Sequence, residues 1–238
     1  GAGRLLYGSL RDFVMEVQLV DGLGKLVRGG GKVVKNAAGF DLPKLVVGSY
    51  GRLGVLTEIT LKVFPRPPAD ATLQAQAASV PEAIAAVQAL LSQPLPITSL
   101  DLQFARSGPV ELLARFAAHS DSLPKVLHRA EAACRLPSKH IHESSQERQL
   151  WCDRAAVIER LDDGAAKILV RIATALPAIA QLAPALLSVP DAELHSTGGG
   201  SVAWLSLPAD SDLNQLDQLL KLQKLSAIVV CAPDDEAN

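Results

Sequence analysis

Alternation of apolar and polar residues predicts extended strands in the early part of this chain. Apolar side chains recur at about every second position from Phe13 to Val20 and again from Val55 to Val63, which is the spacing of a half-buried strand. Asp21-Gly22 separates the first of these runs from further β-like sequence at 25–28. An Asp-Gly pair between two such runs indicates a β-hairpin.

The pattern changes after the proline-rich stretch at 65–68, where strand-like and helix-like runs begin to mix. The predicted strands are 71–78, 99–105, 111–116, 165–173, 202–207 and 227–231, and the predicted helices are 80–91, 122–136, 177–187 and 213–222. Such mixing favours an α+β fold of ferredoxin-like kind, with helices on one face of an antiparallel sheet. We therefore predict two domains, 1–68 and 69–238.

Composition narrows the classes of partner and the cellular compartment. Of the 238 residues, 20% are charged and 4% are aromatic, and the formal net charge is −2. These values give no electrostatic or stacking basis for binding nucleic acid. The chain has three scattered cysteines, which predicts reduced thiols rather than a disulfide framework. No apolar run has the length needed to cross a bilayer, and we expect a cytoplasmic protein.

Three glycines spaced three residues apart, Gly48, Gly51 and Gly54, stand directly before the strand predicted from Val55. Glycine has no Cβ, so its backbone adopts positive φ and approaches other groups closely. Backbone N–H groups in such a loop can hold an anionic or flat ligand such as a nucleotide. The alternative is a tight turn with no ligand, and the residues alone leave both interpretations open.

The stretches 8–14, 20–22, 29–42 and 48–58 together resemble the FAD-binding domain of the vanillyl-alcohol oxidase and p-cresol methylhydroxylase family. The resemblance implies that 1–68 is the second half of such a domain and that the rest is its cap domain. It implies FAD as cofactor, contacted by Arg11, Asp12, Lys35, Gly39, Gly48, Ser49, Gly51, Leu53, Gly54 and Val55. The family places another subdomain ahead of Arg11-Asp12, so we expect an N-terminally truncated chain.

Some of these residues have a purely structural alternative. Arg11 could meet a phosphate, or it could form an exposed salt bridge with Asp12. Asp12 could instead accept hydrogen bonds from loop N–H groups. Asp41 is expected to cap the helix that begins near Pro43, and Phe40 is expected to lie in the core rather than against a flavin.

Within the family, the chain is similar to accessory FAD-binding subunits of glycolate-oxidase-like complexes. Tyr50 and Arg52 stand where related catalytic subunits usually carry Glu and Thr. The resemblance implies oxidation of a 2-hydroxy acid to the 2-keto acid, with a related catalytic flavoprotein subunit and an iron–sulfur subunit as partners. It implies membrane contact only through that complex, peripheral to the inner membrane. No residue of this chain matches a catalytic base.

Two other functions stay open at this stage. One is a stand-alone FAD-dependent dehydrogenase of D-lactate or another 2-hydroxy acid, and the other is a non-catalytic assembly subunit with a structural FAD site. His140 and His142 are the only candidates for a metal site in the cap, but a solvated loop is the preferred interpretation. The stretch 196–201 resembles a phosphate cradle without the P-loop lysine, and a flexible turn is preferred. Trp151 and Trp204 are expected to be core or interface anchors.

Overall fold

The computed structural model describes residues 3–31, 40–104, 108–142, 145–159 and 167–232, without the side chains of 140–142 and 156–159. Two of the predicted FAD-contacting residues, Lys35 and Gly39, lie outside the described residues. The chain divides into two compact units. The N-terminal unit comprises Tyr7–Arg66, and the C-terminal unit comprises Pro67 onward together with the residues up to Leu6.

The N-terminal unit contains a three-stranded antiparallel sheet in the order β2-β1-β3. Its elements, preceded by α1 (Arg4–Tyr7), are α2 (Leu10–Phe13), β1 (Val14–Val20), β2 (Leu26–Gly30), α3 (Leu42–Val46) and β3 (Val55–Leu61). The predicted hairpin is confirmed by the antiparallel pairing of β1 with β2. In its turn, the Asp21 carboxylate accepts hydrogen bonds from the N–H groups of Leu23 and Lys25 at 2.8 and 2.9 Å. These two bonds fix the β1–β2 turn.

The N-terminal unit has a small core and a largely exposed third strand. Its buried apolar cluster consists of Val14, Val17, Leu19 and Val46. Val55 is 70% exposed, and the other apolar side chains of β3 are also exposed. Phe40 is 97% exposed, so the prediction that it lies in the core is wrong. Its position directly before the α3 cap leaves its ring without a neighbouring apolar surface among the described residues.

The C-terminal unit is built on an eight-stranded antiparallel sheet in the order β11-β8-β10-β9-β5-β6-β4-β7. Its elements are β4 (Ala69–Ala77), α4 (Val80–Leu91), β5 (Ile97–Phe104), β6 (Val110–Ala118), α5 (Leu123–Cys134), β7 (Ser138–His142), α6 (Ser145–Glu159), β8 (Lys167–Ala173), α7 (Leu176–Leu186), β9 (Glu193–Thr197), β10 (Val202–Pro208), α8 (Leu213–Leu222) and β11 (Ser226–Cys231). The predicted α+β class is confirmed.

The sheet consists of two halves with the same connectivity. Elements β4 to β7 follow the order β-α-β-β-α-β, and elements β8 to β11 follow it again. Within each half the fourth strand lies beside the first, and the second strand lies at the far side. This is the connectivity of ferredoxin-like units. The halves join where β5 pairs with β9.

Three elements of this unit differ from the sequence predictions. Strands β7 and β9 and helix α6 were not predicted, and His140 and His142 lie in the edge strand β7 rather than in a loop. Helix α6 also corrects the expectation of helices on one face only. Trp151 of α6 donates a hydrogen bond from Nε1 to Thr72 Oγ1 at 2.9 Å, and Thr72 alternates along β4 with core residues such as Leu73. Helix α6 therefore covers the sheet face opposite the main core, here called the outer face.

The stretch 196–201 forms the β9–β10 hairpin. Gly198, Gly199 and Gly200 have φ values of +60°, +65° and +93°, so the turn prediction is confirmed. A Cβ on Gly200 would lie 2.8 Å from Leu176 Cα. The turn is thus packed against the start of α7 and leaves little space for a phosphate there.

The three cysteines are free, with Cys134 buried and Cys152 exposed. None of the helices in the described part of the chain is long and apolar enough to span a membrane.

Candidate functional site

The glycine-spaced loop connects α3 to β3 through a series of left-handed backbone conformations. The φ values are +85° at Gly48, +51° at Tyr50, +75° at Gly51 and +146° at Gly54. A non-glycine residue in this region costs about 1–2 kcal/mol, so the backbone is strained at Tyr50. The positive φ values predicted from the three glycines are thus present in the loop.

The three glycines differ in the space around them, as a Cβ placed on each one shows. A Cβ on Gly54 would lie 2.3 Å from the Val20 carbonyl oxygen, so this glycine is required by packing against β1. Among the described residues, a Cβ on Gly48 or Gly51 would meet nothing within 4 Å. Their backbone therefore faces open space, and a ligand can approach it as closely as the missing Cβ allows.

The loop uses part of its own hydrogen-bonding capacity. The Ser49 N–H donates to the Val46 carbonyl at 3.0 Å, and the Arg52 N–H donates to the Ser49 carbonyl at 3.1 Å. Ser49 therefore has its hydroxyl, rather than its N–H, to offer a ligand. Leu53 is 40% exposed and Val55 is 70% exposed, and both present apolar side chains beside the two open glycines.

Asp12 is engaged in a capping box at the start of α2. Its Oδ2 accepts hydrogen bonds from the Ser9 N–H at 2.7 Å and the Ser9 hydroxyl at 2.8 Å. A Cβ on Gly8 would lie 2.6 Å from the same oxygen, so Gly8 makes room for the carboxylate. Of the two interpretations of Asp12, the structure supports acceptance of hydrogen bonds from the loop before the helix.

Arg11 is exposed and lies within electrostatic reach of the start of α3. Asp41 caps α3 by accepting a hydrogen bond from the Lys44 N–H at 3.2 Å, which confirms the predicted cap. Hydrogen bonding to Lys44 is the main cause that lowers the pKa of Asp41, and the charge of Arg11 contributes in the same direction. The structure thus brings Arg11, Asp41 and Lys44 together on the surface of the N-terminal unit.

A second polar site lies on the outer face of the C-terminal sheet and was not predicted. We call it the seam cluster, consisting of Asp101 on β5, Arg154 on α6 and His195 on β9. All three line one cavity of about 30 Å³. Burial raises the pKa of Asp101 to about 7, and burial, with the nearby Arg154 charge, lowers the pKa of His195 to about 4. Buried carboxyls with such shifts are candidates for functional sites.

The sequence carried one signal for this cluster. Asp101 stands between the core residues Leu100 and Leu102 of β5, so alternation places its side chain on the opposite face of the sheet. The described residues include no group of three His, Cys, Asp or Glu side chains that could hold a metal ion. The side chains of His140 and His142 are outside the described residues.

Comparison with curated proteins places the chain among FAD-linked relatives. It is 50% identical over 100 residues to glycolate oxidase subunit GlcE of Escherichia coli, covering 42% of this chain and 28% of that protein. It is 44% identical over 75 residues to glycolate oxidase subunit GlcD of Bacillus subtilis, covering 32% and 16%. An FAD-linked oxidoreductase of Mycobacterium tuberculosis is 35% identical over 95 residues, covering 40% and 21%. The matched regions thus span less than a third of these relatives.

Solved structures share the fold at low sequence identity. Chitooligosaccharide oxidase superimposes with a TM-score of 0.62 at 12% identity, and the match covers 94% of this chain and 56% of that chain. BBE-like 1 from Physcomitrella patens superimposes with a TM-score of 0.61 at 14% identity and the same coverage. No family model matches the chain.

The architecture and the sequence matches together define a chain similar to FAD-linked oxidoreductases, as the resemblance in its glycine-rich blocks implied. Within that class, one relative that the chain resembles, at 50% identity over 100 residues, is glycolate oxidase subunit GlcE.

Proposed function

We propose that this chain is the FAD-binding accessory subunit of a complex that oxidises a 2-hydroxy acid such as glycolate to the 2-keto acid. The observation that carries the proposal is the pair Gly48 and Gly51, whose backbone faces open space in a loop with the family's glycine spacing. The 50% identity to glycolate oxidase subunit GlcE supports the choice of reaction.

The residues of the N-terminal unit fit FAD in three respects. The open backbone at Gly48 and Gly51 suits close approach of a nucleotide. The exposed apolar side chains that begin at Leu53 and Val55 suit the flat, weakly polar surface of the cofactor. Arg11 supplies an exposed positive charge for a phosphate. Lys35 and Gly39 stay predicted contacts.

FAD, when bound, supplies the hydride-accepting chemistry, and the protein supplies binding and orientation. Ser49 offers its hydroxyl, because its N–H and carbonyl are already bonded within the loop. The Asp12 carboxylate holds the turn before α2 and thereby positions Arg11 beside it. Each of these residues acts on binding rather than on the transfer of hydride.

The accessory role is favoured over a catalytic one by Tyr50 and Arg52. The second candidate is a stand-alone dehydrogenase. It is supported by a D-lactate dehydrogenase of Archaeoglobus fulgidus, which is 39% identical over 66 residues, covering 28% of this chain and 15% of that protein. The third candidate is an assembly subunit with a structural FAD site. We propose a catalytic flavoprotein of GlcD type and an iron–sulfur subunit as partners, in the cytoplasm and peripheral to the inner membrane through the complex.

The three candidates differ in flavin content and turnover. The experiment purifies the full-length protein, measures bound flavin by absorbance, and measures glycolate-dependent dye reduction with and without the partner subunits. The accessory role predicts bound FAD, no turnover alone, and turnover of the complex that falls when FAD binding to this subunit is impaired. Turnover alone identifies a stand-alone dehydrogenase, and turnover of the complex that is insensitive to this FAD identifies an assembly subunit. Absence of flavin in the full-length protein would refute FAD binding.

A further inference from the structure

Strand β11 lies at one edge of the eight-stranded sheet, where β8 is its neighbour among the described strands. Three consecutive apolar side chains of this strand are exposed, Ile228 by 44%, Val229 by 46% and Val230 by 41%. We call these three residues, with the outward-facing backbone of the strand, the β11 edge. Because side chains of a strand alternate between its two faces, the exposed apolar surface includes both faces of the sheet at this edge.

The two edges of this sheet differ in how they are protected. Unpaired N–H and C=O groups of an edge strand can pair with another chain, and charged side chains, proline or a bulge normally oppose this. The opposite edge strand, β7, carries the exposed Lys139 and contacts α6. Strand β11 has no charged residue or proline, and its one irregularity is the shift in pairing between Val229 and Cys231. This shift leaves the β11 edge exposed, so the edge is suited to the addition of a strand.

The charges on either side of β11 identify what that strand is. Lys221 forms an ion pair with Asp217 at 2.6 Å, which leaves the exposed Lys224 as the cation nearest to the start of β11. In the sequence after the strand, positions 234–236 are all acidic. Antiparallel pairing of two copies brings the basic side of each strand toward the acidic side of the other, whereas parallel pairing brings like charges together. The charge pattern therefore favours a second copy of this chain in antiparallel orientation.

The position of the apolar residues agrees with this symmetry. Val229 is the middle residue of the β11 edge, so a two-fold axis near Val229 places Ile228 of each copy close to Val230 of the other. A two-fold axis perpendicular to the sheet also keeps the core faces of both sheets on the same side, and the two sheets become one continuous sheet. Such an isologous contact closes at two copies and does not continue into a filament.

We propose that β11 is the dimerisation edge of this chain, at which a second copy adds its own β11 in antiparallel orientation. The inference is independent of the proposed function, since it uses neither the glycine-spaced loop nor the cofactor. One pair of strands buries less than the roughly 1,600 Å² of a standard interface. A dimer with a dissociation constant on the order of micromolar is therefore expected.

The first test is sedimentation velocity of the full-length protein between about 1 and 100 μM, a range that spans this dissociation constant. The dimer fraction is expected to rise with concentration. Val229→Lys is expected to weaken dimerisation at least about tenfold, because it places two lysines close together at the two-fold axis. Leu91→Lys is the matched control, because Leu91 is 42% exposed but lies at the end of α4, and its dimer should be unchanged. Circular dichroism checks that both variants are folded.

The second test is oxidative cross-linking, which uses substitutions close in size to the native residues. Cys152→Ser and Cys231→Ser first remove the free cysteines that are not buried. Val229→Cys in this background is expected to form a disulfide-linked dimer, because the two copies of position 229 lie within the Cα separation that a disulfide spans. Ser226→Cys is the control at the start of the same strand. It should not link to itself, because antiparallel pairing places it opposite the far end of the partner strand.

Three results would overturn the proposal. The first is a protein that stays monomeric up to about 100 μM, well above the expected dissociation constant. The second is a dimer that Val229→Lys and Leu91→Lys affect equally, or in which Ser226→Cys links as efficiently as Val229→Cys. The third is a monomer whose complex with the partner subunits is weakened by Val229→Lys, which would assign the β11 edge to a partner subunit instead of a second copy.

Discussion

The Asp101 carboxylate accepts a hydrogen bond from the Gly198 backbone N–H, with Oδ1 and N 3.3 Å apart. Asp101 lies on β5 in the first half of the C-terminal sheet, and Gly198 lies in the β9–β10 turn of the second half. The Gly199 N–H donates to the Leu100 carbonyl beside it at 2.8 Å. The two halves are therefore joined by side-chain and main-chain bonds next to a carboxyl whose pKa is raised to about 7.

Asp101→Asn is expected to stabilise the protein at alkaline pH. The ordinary pKa of 3.8 rises to about 7 on folding, so folded Asp101 keeps its proton while unfolded Asp101 loses it. Its contribution to stability therefore falls as pH rises from about 4 to about 7 and stays low above that. Asparagine is always neutral, so the variant gains about 2–4 kcal/mol at pH ~8 and little at pH ~4. Urea unfolding at both pH values measures the difference, and equal stability of both proteins at pH ~8 contradicts it.

His195→Gln is expected to have the opposite pH dependence. In the wild-type protein, the pKa of His195 falls from 6.5 to about 4 on folding. The contribution of His195 to the free energy of unfolding is therefore fully present above pH ~6.5 and is lost as pH falls toward ~4. In the wild-type protein, the stability that His195 loses at acid pH offsets the stability that Asp101 gains there. The His195→Gln variant is therefore expected to lose stability as pH rises, and Asp101→Asn as pH falls. Urea midpoints across this range give the slopes, and slopes of the same sign for the two variants would refute the offset.

Thr72→Val is expected to destabilise the C-terminal unit by about 1–3 kcal/mol. The Thr72 hydroxyl donates to Glu147 Oε1 at 2.8 Å and accepts from Trp151 Nε1 at 2.9 Å. Valine keeps the shape but removes the acceptor of the Trp151 N–H and one of the hydrogen bonds to Glu147. Thr174→Val, which removes a solvent-exposed hydroxyl bond, is the control and should change stability by less than about 0.5 kcal/mol. Tryptophan fluorescence during urea unfolding measures both, and similar losses would rule out the buried network.

Gly54→Ala is expected to open the N-terminal sheet. Its φ of +146° is unfavourable for alanine, and the new Cβ would lie 2.3 Å from the Val20 carbonyl. The combined strain and overpacking amount to at least about 2 kcal/mol. Hydrogen exchange of the β1 amides should accelerate accordingly. Gly22→Ala, where a Cβ meets none of the described atoms within 4 Å, should leave exchange unchanged. Equal rates in the two variants would contradict the packing role of Gly54.

Sequence patterns predicted most of the C-terminal strands and helices but missed those shaped by polar contacts. Strand β9 contributes a single leucine, Leu194, to the core. Its other buried positions hold the polar residues His195 and Ser196, so the strand has no apolar alternation. Helix α6 is polar around most of its surface and is held by Trp151 and Arg154 rather than by an apolar stripe. Contacts of this kind depend on tertiary neighbours, so periodicity does not reveal them.

For the candidate FAD site, the spacing of glycines predicted the loop conformation but not the separate roles of its residues. Sequence could not distinguish Gly54, which packs against β1, from Gly51, which faces open space. It likewise could not show that the Ser49 N–H is used within the loop. These differences arise from the path of β1 beside the loop.

The affinity of the full-length protein for FAD in Gly51→Ala and Gly24→Ala variants tests the central claim most directly. The two glycines have φ values of +75° and +74°, and a Cβ on either meets no atom within 4 Å in the described part of the chain. Both variants should therefore lose about the same stability, roughly 1 kcal/mol. If the loop holds FAD, Gly51→Ala weakens FAD binding at least about tenfold, because its Cβ occupies the space of a close backbone contact. Gly24→Ala, in the β1–β2 turn, leaves the affinity unchanged. Equal FAD affinity in both variants would contradict the account.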